Sequence, residues 1–209
     1  MKLSFRLIYI SFLYIMLYTE QIFTDMGGIH PYGVKLSEDA QKAIIFYNYK
    51  EEILILGTNF KSDKNTSIVR FIPFPSEPKV FLVDSNPFKK ISDIISKKKI
   101  FFFHMTKVGE RVNPVQVLFD AKLESHDITV IKIKDIRDFR NWVISFLSTK
   151  QLPTVGNLET VEGIAKDYLS RGFNYFVFDI VKVEPEGENI KPIAYRFKTE
   201  KLYYPLKKP

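Results

Sequence analysis

The chain has 209 residues, of which 45% are hydrophobic and 15% aromatic, and its formal net charge is +7. This composition is that of a folded protein and argues against intrinsic disorder. The absence of cysteine excludes disulfides, thiolate metal sites and a cysteine nucleophile. The positive charge favours acidic partners, but it is scattered along the chain, so a basic surface without a binding role is the preferred interpretation.

The first segment has the pattern of a sorting signal. Lys2 and Arg6 precede an uncharged apolar run at residues 7–19, which is shorter than the ~20 residues of a membrane-spanning helix. A positive start followed by a short apolar run is typical of a secretory leader. Small residues at the usual cleavage spacing are missing, so residues 1–27 are predicted to be either a signal peptide or a signal anchor. The predicted localisation is exported, in the periplasm, at the cell surface or outside the cell, with residues 7–19 as the anchor if the leader is not cleaved.

The part of the chain that follows predicts antiparallel strands. Residues 42–49 and 52–60 are rich in residues that favour β-structure. They flank a short turn near Lys50 and Glu51, which is the pattern of a hairpin.

Three prolines, Pro73, Pro75 and Pro78, then interrupt an apolar run. Proline lacks the N–H that a strand donates, and two prolines spaced by two residues remove donors on one side of the strand only. We therefore expect this run at a sheet edge or a strand end. Because side chains alternate, Ile72 and Phe74 share one face, and we expect that face to point into the core.

The middle of the chain predicts a helix at residues 85–99 and a buried strand at residues 100–105. Residues 115–133 then predict two strands that turn near Ser125 and His126.

Two clearer helices follow. In residues 135–153, apolar side chains recur at helical spacing, Asp135 is a candidate N-cap, and Pro153 marks the end. Residues 159–172 repeat the pattern, and Gly172 suits the left-handed position just past a helix.

Residues 173–183 and 190–200 predict the closing strands. Strands, then helices, then strands, with little regular βαβ alternation, indicate an α+β fold with a mainly antiparallel sheet. We expect about three helices packed on that sheet, preceded by an N-terminal hydrophobic leader helix. Residues 28–209 are predicted to form a single domain.

The motifs between residues 27 and 206, taken in order, resemble those of domain-of-unknown-function family 2330, a family of exported bacterial and archaeal proteins. The motifs are the pair Gly27-Gly28, the three prolines, Trp142 after a strand, Arg171-Gly172 before an aromatic strand, and Tyr204-Pro205-Leu206. The resemblance implies an exported domain of unknown activity. It provides no catalytic residue that can be transferred to this chain.

The candidates for acid–base chemistry are the three histidines, His30, His104 and His126. A hydrolase triad needs one of them beside a serine and an acid. His126 precedes Asp127 at a predicted turn, where polar residues are expected in any case. No nucleophile elbow, metal template or phosphate loop occurs. We therefore assign no catalytic, cofactor-binding or metal-binding residue, and no cofactor.

The leading hypothesis is a non-enzymatic binding or interaction domain for an unknown envelope protein or surface polymer. One alternative is an envelope hydrolase whose site is assembled only in three dimensions. The other is binding of an anionic polymer or nucleic acid, for which lysines at 97–99 and phenylalanines at 101–103 are the relevant pattern. A helix end followed by a core strand explains that pattern, so nucleic acid is disfavoured. If residues 1–27 are an uncleaved anchor, the membrane is a further predicted partner through this N-terminal segment.

Overall fold

The computed structural model describes residues 27–83, 87, 88, 90 and 115–205. Within these residues, ten strands and two helices are described from end to end. They are β1 (Gly27–Ile29), β2 (Leu36–Tyr47), β3 (Glu51–Ser62), β4 (Thr66–Phe74), β5 (Lys79–Leu82), β6 (Val115–Leu123), β7 (His126–Ile133), α1 (Ile136–Thr149), α2 (Leu158–Ser170), β8 (Tyr175–Val183), β9 (Glu188–Asn189) and β10 (Ile193–Lys198).

The strands form two antiparallel sheets. Sheet 1 has the order β1–β4–β8–β7–β6, and sheet 2 has the order β2–β3–β10–β5, with β9 beside β3. Every named pair of neighbouring strands runs antiparallel.

Sheet 1 is the middle of three layers. On one face, Phe71 of β4 packs against Phe139 of α1, with ring centroids 5.8 Å apart. On the other face, Ile72 of the same strand packs in a cluster with Leu54 and Tyr195 of sheet 2. Successive side chains of a strand point to opposite faces, so β4 is apolar on both. Burying a side chain such as Phe71 contributes on the order of 2–3 kcal/mol to the free energy of unfolding.

The predicted α+β fold with about three helices packed on its sheet is wrong. The described residues are mostly β-structure, in two sheets, with two helices on one face of sheet 1. A strand that is buried on both faces carries a continuous apolar run, and such a run does not reveal which layer covers each face. The prediction of mainly antiparallel pairing is confirmed.

Some predicted elements lie outside the described residues. These are the leader helix, the strand at residues 100–105, and the greater part of the helix predicted at residues 85–99. Residues 87, 88 and 90 are helical.

The local predictions for the strands are confirmed. The strands β2 and β3 pair as a hairpin around residues 48–50, and β6 and β7 turn at residues 124–125. Pro73 is the second-last residue of β4 and Pro75 follows its end, so the prolines mark a strand end. Ile72 and Phe74 are fully buried in the core between the sheets.

The two helices also begin and end close to the predicted residues. Asp135 caps α1 by accepting a hydrogen bond from the Arg137 backbone N–H at 2.9 Å. Hydrogen bonds from the Arg137 side chain and backbone hold the pKa of Asp135 at about 2. Gly172 has a φ of +84°, the left-handed conformation expected just after α2.

Candidate functional site

A cleft of about 350 Å³ opens at one end of sheet 1, where the β6–β7 turn meets the last residues of β8. Both strand ends bring polar side chains to this place. The polar lining residues are Ser67, Lys122, Glu124, Ser125, His126, Asp127 and Lys182.

The register of sheet 1 sets the spacing of the two lysines. Lys122 lies opposite Asp127, which lies opposite Ile180 on β8. Lys182 is two residues beyond Ile180 and lies opposite Ser67. Neighbouring strands are ~4.8 Å apart and residues rise ~3.3 Å along a strand, so the Cα atoms of the two lysines are about 12 Å apart. Their long side chains can reach one ligand from two sides.

The two acids of the cleft are paired with lysines that do not line it. Asp127 accepts a hydrogen bond from Lys150 Nζ at 2.7 Å, and Asp120 accepts one from the same atom at 2.9 Å. Partial burial alone would lower the pKa of Lys150, but the two carboxylates outweigh it and raise that pKa above its ordinary value. Glu124 forms an ion pair with Lys191.

The two lysines of the cleft are left without such compensation. Lys122 and Lys182 are exposed, and within the described part of the chain neither forms an ion pair. The cleft therefore presents two ammonium groups without an ion-pair partner among the described residues, beside the hydroxyls of Ser67 and Ser125, an arrangement that favours an anionic ligand.

His126, one of the lining residues, is fully buried as the first residue of β7. Its Nδ1 lies 3.0 and 2.9 Å from the two carboxylate oxygens of Asp179. Its Nε2 lies 3.0 Å from the backbone carbonyl oxygen of Lys191. Both ring nitrogens thus lie within hydrogen-bond distance of oxygen atoms.

Asp179 also binds Arg70, which lies opposite it on β4. Arg70 Nε donates to Asp179 Oδ2 at 2.9 Å, and both side chains are buried. Burial alone would raise the pKa of Asp179, but Arg70 and then His126 outweigh it, so the pKa lies below its ordinary value. We call Arg70, His126 and Asp179 the buried charge cluster.

Tyr195 of sheet 2 lies near this cluster, since the charges of Arg70 and Asp179 both act on its hydroxyl. Burial raises the pKa of Tyr195 far above its ordinary value, which keeps the phenol neutral. Among the described residues, the Tyr195 hydroxyl has no hydrogen-bond partner.

The geometry around His126 suits a structural role, in which hydrogen bonds hold neighbouring strands together, better than catalysis. A general base needs a ring nitrogen within hydrogen-bond reach of the proton that it removes. In His126 both nitrogens are engaged, and none of the described serines is hydrogen-bonded to the ring. The buried charge cluster instead links β4, β7 and β8 to the segment before β10.

The other two histidines do not join this site. His104 lies outside the described residues. The backbone N–H of His30 donates to Asn157 Oδ1 at 3.4 Å, and Asn157 Nδ2 donates to the carbonyl oxygen of Gly28 at 2.7 Å. His30 therefore belongs to the contact between β1 and the start of α2.

Arg70 and Asp179 are not among the site residues that the sequence pattern predicts. A signal was present, because each is a single charge inside an apolar run. Such a charge is costly to bury unless it is paired, so two of them in neighbouring strands indicate a buried ion pair. The sequence pattern predicts His126 at a turn, whereas the turn residues are 124 and 125 and His126 begins the next strand.

Within the described residues there is no group of three or more metal-binding side chains. None of the described helices has both the length and the hydropathy needed to cross a bilayer. No family model, curated protein or solved structure matches the chain. Membership of domain-of-unknown-function family 2330 stays a prediction from the motifs.

Proposed function

We propose that the chain is an exported or membrane-anchored envelope protein whose folded domain binds an acidic envelope component. The leader pattern at residues 1–27 supports export. The observation that carries the binding role is the cleft with its two uncompensated lysines, Lys122 and Lys182.

The charge distribution favours a local site over a broad basic face. Nucleic-acid binding usually uses a basic patch or stripe that follows the phosphates. In the described residues, positive and negative side chains are nearly equal in number, and most arginines form ion pairs. The ligand best suited to the cleft is therefore a carboxylate or phosphate group of a surface polymer or protein.

Binding is tested with two labelled polyanions, poly-glutamate and inorganic polyphosphate, added to the full chain and followed by fluorescence anisotropy. These two probes separate carboxylate from phosphate recognition. We expect the double variant Lys122→Gln/Lys182→Gln to bind about tenfold more weakly, because two charge contacts are lost.

The matched control is Lys42→Gln/Lys166→Gln, which removes two exposed lysines from β2 and α2 and leaves the same net charge. Equal weakening in both double variants would show attraction by overall charge and would overturn the cleft as the site. Export is tested separately by fractionating cells that express a tagged chain. Recovery in the cytosol with an intact N-terminus would contradict it.

A further inference from the structure

The strand pairing determines the end of the domain from which the leader extends. Gly27 of β1 lies opposite Phe71 of β4, and Ile29 lies opposite Val69. The pairing is antiparallel and β4 ends at Phe74, so the chain before Gly27 joins the domain at the end where β4 finishes.

The same end of the molecule carries the β2–β3 turn. The ring of Phe74 lies 5.1 Å from that of Phe197, and Phe197 pairs with Glu52, next to the turn at residues 48–50. Residues 199–203 follow β10 at this end. We call the surface formed by residues 48–50 and 199–203 the leader end.

Two large side chains of the leader end are exposed to water, Tyr49 at 82% and Leu202 at 61%. Tyr49 has a φ of 68°, a conformation that costs energy for a bulky residue. The turn is held by Asn48, whose Oδ1 accepts hydrogen bonds from the backbone N–H groups of Lys50 at 3.1 Å and Glu51 at 2.8 Å. The fold thus holds Tyr49 at the tip of the turn, with its side chain exposed, in a backbone conformation that tyrosine does not favour.

Hydrogen bonds join the two segments into one surface. The backbone N–H of Thr199 donates to the carbonyl oxygen of Lys50 at 3.0 Å. The Tyr47 hydroxyl donates to the carbonyl oxygen of Glu200 at 2.5 Å. The turn that carries Tyr49 and the segment that carries Leu202 are therefore held together.

Lysines accompany the two exposed apolar groups. Lys50 and Lys201 are exposed and are the sequence neighbours of Tyr49 and Leu202, with Glu200 as the acid in the same segment. Tyrosine is enriched where proteins meet the bilayer interface, and lysine is attracted to anionic lipid headgroups. The leader end has this combination.

The leader itself limits how far this surface can lie from a membrane. Seven residues, 20–26, separate the apolar run at residues 7–19 from β1. Even fully extended, they span at most about 25 Å. If residues 7–19 stay in the bilayer, the leader end is the part of the domain that lies next to it.

We propose that the leader end docks on an anionic lipid bilayer, with Tyr49 and Leu202 inserted at the level of the headgroups. This inference rests on the anchored form of the proposed function. It places the cleft of Lys122 and Lys182, which lies at the opposite end of sheet 1, away from the membrane and facing its ligand.

The absence of cysteine makes the test direct, because a single introduced cysteine carries the only label. The full chain is reconstituted in nanodiscs that contain phosphatidylglycerol, with an environment-sensitive fluorophore at Tyr49→Cys or Leu202→Cys. The control is Tyr32→Cys, which is equally exposed at 82% but lies between β1 and β2 at the opposite end of the sheets. Circular dichroism checks that each labelled chain is folded.

We expect a lipid-borne quencher to quench the labels at positions 49 and 202 at least severalfold more than the label at position 32. Equal accessibility of all three labels to a water-soluble quencher, in chains that co-purify with nanodiscs, would overturn the docking while leaving the anchor intact. Failure of the chain to associate with nanodiscs at all would reject the anchor, and the docking with it.

Discussion

Arg70 and Asp179 lie directly opposite each other on β4 and β8, and their side chains form an ion pair between the two sheets of the fold. The pair is out of contact with water. A buried ion pair adds little net stability, because desolvation of the two charges offsets their attraction. Removal of one partner is costly, since the other charge stays buried without compensation.

We therefore expect Asp179→Asn to lower the free energy of unfolding by about 3–5 kcal/mol. The substitution keeps the side-chain shape but leaves Arg70 and His126 facing a neutral amide. Urea unfolding measures the loss. The control is Asp167→Asn, which breaks the exposed pair with Arg171 and should change stability by less than about 0.5 kcal/mol. Similar small losses in both variants would contradict a buried cluster.

The lowered pKa of Asp179 also makes part of the free energy of unfolding sensitive to acid. The folded pKa of Asp179 lies below its ordinary value of 3.8, so the unfolded chain takes up the proton first. The stabilisation is present above pH 3.8 and is lost as the pH falls from there through the folded pKa. We expect the stability difference between the wild type and Asp179→Asn to shrink over this range. A difference that stays constant from pH 6 to acid would count against the assignment.

The contribution of Glu52 to the free energy of unfolding is expected to have the opposite pH dependence. It is buried between the sheets, and burial raises its pKa above 4.5, although the backbone N–H of Tyr203, 2.7 Å from Oε2, lowers it in part. The folded protein therefore holds this proton more tightly than the unfolded chain. Stability from this group is greatest below pH 4.5 and is lost as the pH rises through the folded pKa.

Replacement of Glu52 by Gln should therefore raise the melting temperature at pH 7, because a neutral amide still accepts the hydrogen bond from Tyr203. At pH 4 the difference from the wild type should be smaller. Thermal unfolding at the two pH values tests this, with the exposed Glu77→Gln as control. A lower melting temperature at pH 7 would mean that the carboxylate is stabilised in its ionised form.

Gly57 gives a test of packing on the outer face of sheet 2. A Cβ at this position would lie 2.8 Å from Cε2 of the Phe88 ring, closer than van der Waals contact allows. We expect Gly57→Ala to displace that ring and to lower the free energy of unfolding by about 1–3 kcal/mol.

The matched control is Gly163→Ala in the exposed interior of α2, where an added Cβ meets nothing within 4 Å. It should raise the free energy of unfolding by about 0.5–1 kcal/mol, because alanine favours the helix. If Gly57→Ala stabilises the protein as much as this control does, Phe88 does not occupy the space above β3 in solution.

Local structure was predictable because its causes are local. The alternation in β2 and β3, the cap at Asp135 and the left-handed Gly172 each depend on a few neighbouring residues. The candidate site was not predictable in the same way. Lys122 and Lys182 are 60 residues apart in the chain, and only the register of β6, β7 and β8 brings them to one cleft.

The amino-acid pattern alone determined the positions of most described strands and of both complete helices. It also determined the proline-marked end of β4 and the antiparallel pairing. These features were predictable because hydrophobic periodicity and backbone preferences act over short distances. Tertiary structure decided that the strands divide into two sheets and that Arg70 meets Asp179 and His126. It also decided that, within the described part of the chain, the acids of the cleft form ion pairs while its two lysines form none. These outcomes depend on how the apolar faces of helices and sheets pack on one another, and on ion pairs between strands that are distant in the sequence. No short stretch of sequence contains that information.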